Sequence, residues 1–259
     1  MTDYRHIAVE ARADGLTRVT FVRPPANALN SDLIDDIQRC AEALSSDTPR
    51  VVVLDSAAPM FMAGADLSMV NTGWDNLRET VGRFQAAVNA WEAIPCPTIA
   101  SINGHALGVG CEISLACDFR IMARGKGRIG LPEVLRGLIA AGGGTQRTVR
   151  LLGRTHAMNL SMRGLMIDAD HAERIGLVTA AVDSGELEVA TSALAEELLA
   201  LPTITLAGIK RCINVGGDLD LHGGLALEKA EMSALGATED TREGVAAFVE
   251  KRAPRFVGR

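Results

Sequence analysis

Three near-continuous apolar runs constrain this chain more than any other feature: Val51-Val52-Val53-Leu54, Thr98-Ile99-Ala100-Ser101-Ile102 and Phe119-Arg120-Ile121-Met122-Ala123. None alternates apolar with polar residues, and a strand without a polar face has to be covered on both sides. The fold must therefore sandwich a sheet between other layers, and helical periodicities elsewhere in the chain supply the covers. The stretch 74–91 places Trp74, Leu77, Val81, Phe84, Val88 and Trp91 at helical spacing, a core stripe. Ahead of the first run, Ile7 and Val9, a turn at Ala13-Asp14-Gly15 and a second run at 19–22 read as a hairpin. Asn30-Ser31-Asp32 then offers N-caps to a helix with the apolar face Leu33, Ile34, Ile37, Ala41 and Leu44.

After Gly130 the texture turns helical, over 145–152, 155–162, 169–174, 187–199, 205–215 and 225–248, with one short strand-like run at 177–182. The coarse map is a mixed βα region followed by helices. It divides into a core over 1–195, carrying the candidate chemistry, and a helical region over 196–259. The glycine clusters at 142–144, 216–217 and 223–224 are too short for tethers and read as turns. A net charge of −6 gives the chain no overall attraction for nucleic acid. The five cysteines, Cys40, Cys96, Cys111, Cys117 and Cys212, are an odd number without C-x-x-C or zinc spacing. They read as buried thiols in a reducing compartment, with no metal site. No 18-residue apolar span and no secretory signal stands out, so a cytoplasmic protein away from membranes is expected.

Chemistry concentrates where strands give way to loops. Phe61-Met62-Ala63-Gly64-Ala65-Asp66-Leu67 combines small residues, which let a ligand approach backbone N–H groups, with an aspartate placed to cap a helix. Asn103-Gly104-His105-Ala106-Leu107-Gly108-Val109-Gly110-Cys111-Glu112 puts two spaced glycines at a helix start, a source of donors for an anion or a developing oxyanion. Ile113 stands where a dinucleotide fingerprint would need a third glycine. Glu112 has apolar neighbours on nearly every side. The third junction, Gly130-Leu131-Pro132-Glu133, opens a helix with proline and a second glutamate, and Gly142-Gly143-Gly144-Thr145-Gln146-Arg147 follows.

These motifs, with Asn27-Ala28-Leu29-Asn30, Cys117-Asp118 and Phe248-Val249-Glu250-Lys251-Arg252, resemble the crotonase, or enoyl-CoA hydratase/isomerase, superfamily over essentially the whole chain. The resemblance implies an α/β fold, the crotonase (ClpP-like) spiral of ββα units, whose helical C-terminal region makes a homotrimer or a dimer of trimers. It implies an acyl-CoA thioester as substrate, with no cofactor beyond the CoA the substrate carries. Carried over residue by residue, the N–H groups that hold the thioester oxygen fall on Ala63 and Val109, the latter a valine where the family commonly has glycine. The catalytic pair falls on Glu112 and Glu133. Substrate or CoA contacts fall on Arg23, Ala63, Gly64, Ala65, Asp66, Leu67, Phe248 and Lys251, the last two from a neighbouring subunit. Two glutamates imply an enoyl-CoA hydratase, adding water across the C2–C3 double bond of a 2-enoyl-CoA. The alternatives are an isomerase or another crotonase reaction using Glu133, or a non-catalytic acyl-CoA binder.

Overall fold

The computed structural model describes residues 3–66, 69 and 73–259, the side chain of Trp74 excepted. Strands β1 (Ile7–Ala11) and β2 (Leu16–Phe21) form the expected antiparallel hairpin. From β2 the sheet continues in parallel through β3 (Val51–Ser56), β4 (Thr98–Ile102), β6 (Phe119–Ala123) and β9 (Ala180–Val182), in the order β1-β2-β3-β4-β6-β9. A second, three-stranded sheet joins β5 (Ala106–Leu107), β7 (Ile129–Gly130) and β8 (Met166–Ile167). The helices are α1 (Ser31–Asp47), α2 (Trp74–Glu92), α3 (Val109–Leu115), α4 (Gly144–Met162), α5 (Ala169–Arg174), α6 (Leu187–Leu199), α7 (Thr203–Asn214), α8 (Leu221–Leu235) and α9 (Glu239–Glu250), with a 3₁₀ turn at Pro132–Arg136.

The apolar runs are strands covered on both faces. Val52, Leu54, Ala100, Ile102 and Met122 belong to one core, shared with Ile34 and Ile37 of α1, Val88 and Trp91 of α2, and Cys111 and Ile113 of α3. Val51, Val53, Ile99 and Ile121 point the other way, into a second core closed by Leu187, Ala195 and Leu198 of α6. Successive strand residues face opposite sides of a sheet, so only a continuous apolar run can feed both cores. The boundary expected between 195 and 196 falls inside α6, and α7 to α9 follow that helix.

Several local expectations shift. Val9 is exposed, because β1 is an edge strand with only Ile7 buried. Within the α2 stripe Phe84, Val88 and Trp91 are buried, Leu77 and Val81 are half-buried, and the Trp74 side chain lies outside the described residues. The helix expected over 225–248 is two, because Thr238 accepts the N–H of Thr241 and caps a fresh start whose first turn carries Glu239 and Asp240. Gly153, at φ 75°, breaks α4 between the two helices expected over 145–152 and 155–162.

Candidate active site

The small sheet brings the three loops together. Met62 N–H donates to His105 O at 2.9 Å and Leu107 N–H to Met62 O at 3.0 Å, bridging the 61–66 loop to β5. Gly108 N–H donates to Gly130 O at 2.9 Å, bridging β5 to the segment that leads into Pro132 and Glu133. Gly108 sits at φ 55° and ψ −118°, and a β carbon there would lie 2.7 Å from Glu133 Oε1. Its carbonyl accepts the Glu112 N–H at 2.9 Å, so this one glycine touches the machinery holding both glutamates. Both the backbone angle and the close approach exclude a larger residue.

Glu112 is 1% exposed, in the first turn of α3. Its Oε1 accepts two backbone N–H groups, from Gly142 at 2.7 Å and Gly144 at 2.8 Å. Burial pushes its carboxyl up to about 7 against the opposing pull of these N–H groups; the Glu133 charge raises it further, while the Arg147 guanidinium lowers it. Glu133 is likewise raised by burial, opposed by its own backbone N–H and by Arg136. Its Oε2 is buried and takes no hydrogen bond among the described residues, an unspent acceptor of the kind found where a reacting group is to be received. At the far end of α3 the buried Arg120 donates to the carbonyls of Ser114, Cys117, Asp118 and Leu177, fixing the helix that carries Glu112.

The geometry corrects the expected donor pair. Ala63 N–H donates to Ala26 O at 3.0 Å and is already spent. Two residues on, Leu29 bridges the loop through Gly64 O and the Asp66 N–H, leaving the Ala65 N–H without a partner among the described residues. Val109 opens α3, and its N–H, like any at the first helical position, has no intrahelical acceptor. Ala65 and Val109 each lie three residues past the Met62–Ala106 bridge, on loops that pass with Gly64 Cα 3.9 Å from the β carbon position of Gly108. Among the described residues the Gly64 and Ala65 N–H groups are both unspent, and Ala65 is the one in register with Val109, so the pair is Ala65 and Val109. What distinguishes Ala65 from Ala63 is that the N–H groups of Ala63 and Asp66 are spent and the one at Ala65 is not, which composition does not show.

Of the other expected contacts, Arg23 donates to Ala28 O at 2.6 Å and pairs with Asp66 at 3.0 Å, so both are tied to the loop edge. Leu67 lies outside the described residues. Phe248 is 85% exposed and Lys251 is exposed at the end of α9, where the single chain leaves both in solvent. The glycine cluster at 142–144 is more than a turn: β carbons on Gly142 and Gly144 would stand 2.8 Å and 2.9 Å from the Glu112 carboxylate oxygens. Three consecutive glycines before a helix were the available signal for this cradle.

One buried and one half-buried carboxylate beside unspent N–H donors, at the loop ends of a parallel sheet, define a site for moving protons next to a polarised carbonyl. Residues 11–259 match the family described as enoyl-CoA hydratase/isomerase, and the chain belongs to that family. It is 34% identical over 260 residues to an enoyl-CoA isomerase/hydratase of Mycosarcoma maydis, covering 96% of this chain and 95% of that protein. It is 36% identical over 256 residues to a 2,3-dehydroadipyl-CoA hydratase of Escherichia coli K12, covering 97% and 98% respectively. The crystal structure of an enoyl-CoA hydratase from Bacillus anthracis superposes with a TM-score of 0.93 at 35% identity, over 98% of this chain and 100% of that one. The crotonase fold expected from the sequence is thereby established, and with it an enzyme class working on CoA thioesters.

Proposed function

We propose that this enzyme is a 2-enoyl-CoA hydratase, adding water reversibly to the C2–C3 double bond to give a 3-hydroxyacyl-CoA. The observation that carries the reading is the convergence of Glu112, buried, and Glu133, half-buried with its Oε2 out of solvent, on one site where burial raises both carboxyls. Hydration needs one group to take a proton from water as its oxygen attacks C3 and one to deliver a proton to C2; a double-bond shift needs only one group that moves a proton. Glu112, its Oε1 fixed by two N–H groups, suits the orientation of water, and Glu133, with its unspent Oε2, suits proton exchange at C2. The N–H groups of Ala65 and Val109 receive the negative charge that builds on the thioester oxygen as C3 is attacked. Neighbouring carboxylates withdrawn from solvent to this degree do not both ionise cheaply, so the pair holds one proton near neutral pH. Hydration then rises as the doubly protonated pair loses its first proton and falls as it loses the second.

The test is product identity and pH dependence over a panel of straight, branched and aromatic 2-enoyl-CoAs. The reading expects a 3-hydroxyacyl-CoA and a bell-shaped profile. A shifted double bond with no added water supports isomerisation, and an inert protein supports an acyl-CoA binder. The same proposal places the enzyme in the cytoplasm, supported by five cysteines that are all free, with no cofactor beyond the CoA of its substrate.

The proposal includes assembly into a trimer or a dimer of trimers. Leu225, Met232, Val245 and Phe248, on α8 and α9, are exposed, a run of apolar surface larger than a helix covering only its own domain requires. Light scattering is expected to give a mass of three or six chains at micromolar concentration. A monomer there would contradict the assembly and remove the basis for contacts by Phe248 and Lys251 across subunits.

A further inference from the structure

The peptide planes that hold Glu112 are themselves held. A trans peptide points its carbonyl and its N–H in opposite directions, so fixing one end aims the other. The N–H of Gly142 shares a plane with Ala141 O, which accepts from Gln85 Nε2 of α2 at 2.6 Å. The N–H of Gly144 shares a plane with Gly143 O, which accepts the Arg147 N–H at 2.8 Å. The plane between them presents Gly142 O to Arg147 Nη1 at 3.2 Å. Gly143, at φ 106°, turns the chain so that both outer N–H groups meet one oxygen, and the glycines have no side chains of their own to keep that shape. Arg147 reaches it from a fixed base: Nε and Nη2 form a fork on Glu92 Oε1 and Oε2 at 2.8 and 2.6 Å, and Nη2 also donates to Asn89 at 2.8 Å. Every peptide of the cradle is thus tied on its far side to α2 or to the start of α4.

We propose that Arg147 and Gln85 are positioning residues for Glu112: they clamp the 141–144 peptides so that both N–H groups stay on Oε1 and Oε2 is left for the reacting water. The assignment rests on reading Glu112 as the residue that activates water. The charged and titratable groups facing Glu112 are Glu133 from the 3₁₀ turn, Arg147 from α4 with Glu92 of α2 behind it, and Cys111 on its own helix. α2 contributes the uncharged Phe84 and Gln85 at the loop. Releasing the clamp removes the N–H pair and the nearby guanidinium together. Both hold the carboxyl down, so their loss raises the pH at which it ionises.

The test compares Gln85→Ala, Arg147→Gln and Arg147→Lys with the parent enzyme. Gln85 is exposed, so its variant keeps the fold even if Arg147→Gln does not. Gln85→Ala is expected to lower kcat by roughly tenfold or more with KM within about twofold, since the chemistry is misplaced and binding is untouched. Arg147→Gln is expected to move the acid limb of the pH profile upward by about one unit, whereas Arg147→Lys keeps the charge, restores most of that shift and still loses kcat. A merely structural residue would lower activity equally at every pH. Carbon-13 NMR of labelled glutamates, with Glu112 assigned through Glu112→Gln, reads the same upward titration without turnover. An inactive parent enzyme would overturn the hydratase reading while this titration still decides the clamp. Wild-type kcat in Gln85→Ala, or an unmoved Glu112 titration in that variant and in folded Arg147→Gln, overturns the assignment.

Discussion

Glu133→Gln is expected to abolish both hydration of a 2-enoyl-CoA and solvent exchange of the C2 proton, while Glu112→Gln loses hydration and keeps measurable exchange on a saturated or 3-enoyl thioester. The asymmetry follows from how the two carboxylates are held. Glu112 Oε1 is committed to the N–H groups of Gly142 and Gly144, which fixes the residue as an orienting base for water. Glu133 has a buried oxygen with no partner among the described residues, ready to exchange a proton at carbon. Glutamine keeps the shape and removes the proton chemistry, so each lost step should fall by about 10²–10⁴-fold, the range for a general acid or base. Deuterium incorporation at C2, measured beside the hydration rate, separates the roles. Exchange retained in Glu133→Gln and lost in Glu112→Gln would reverse them, and unimpaired hydration in both would remove the basis of the site.

Val109→Pro is expected to cost roughly 10²–10³ in kcat, the loss that follows removal of one oxyanion donor. The substitution is well suited to the question. Val109 is the first residue of α3, where proline's fixed φ is compatible with the helix and its missing N–H breaks no intrahelical bond. What disappears is the donor. Val109→Gly keeps the N–H and should stay active. If the branched side chain narrows the acyl end of the site, the glycine variant will also accept bulkier acyl groups, whereas an unchanged substrate profile would place that side chain away from the acyl chain. Activity surviving in the proline variant would show that the thioester oxygen is held elsewhere.

The layered fold was legible because its strands carry both cores in their own sequence. Val51 and Val53 could be apolar alongside Val52 and Leu54 only if helices lay on either side. Glu112 was legible for a related reason: a carboxylate surrounded by Cys111, Ile113 and Leu115 has few solvated places to go. The donor pair was only half legible. Whether Ala63 or Ala65 has a free N–H depends on where Ala26 and Leu29 pass, far earlier in the chain. The clamp on Glu112 was not legible at all, since it joins Gln85 to Ala141 and Arg147 to Glu92 across more than fifty residues. The break before α9, by contrast, was written in Thr238 and the acidic pair after it, signals that the apolar periodicity of 225–248 concealed.

The central claim is that water is added, and the origin of the oxygen in the product tests it most directly. With crotonyl-CoA in ¹⁸O-labelled water, this enzyme should yield 3-hydroxybutyryl-CoA carrying one solvent oxygen at C3. A product whose double bond has moved without taking up labelled oxygen, or a thioester recovered unchanged, would contradict it.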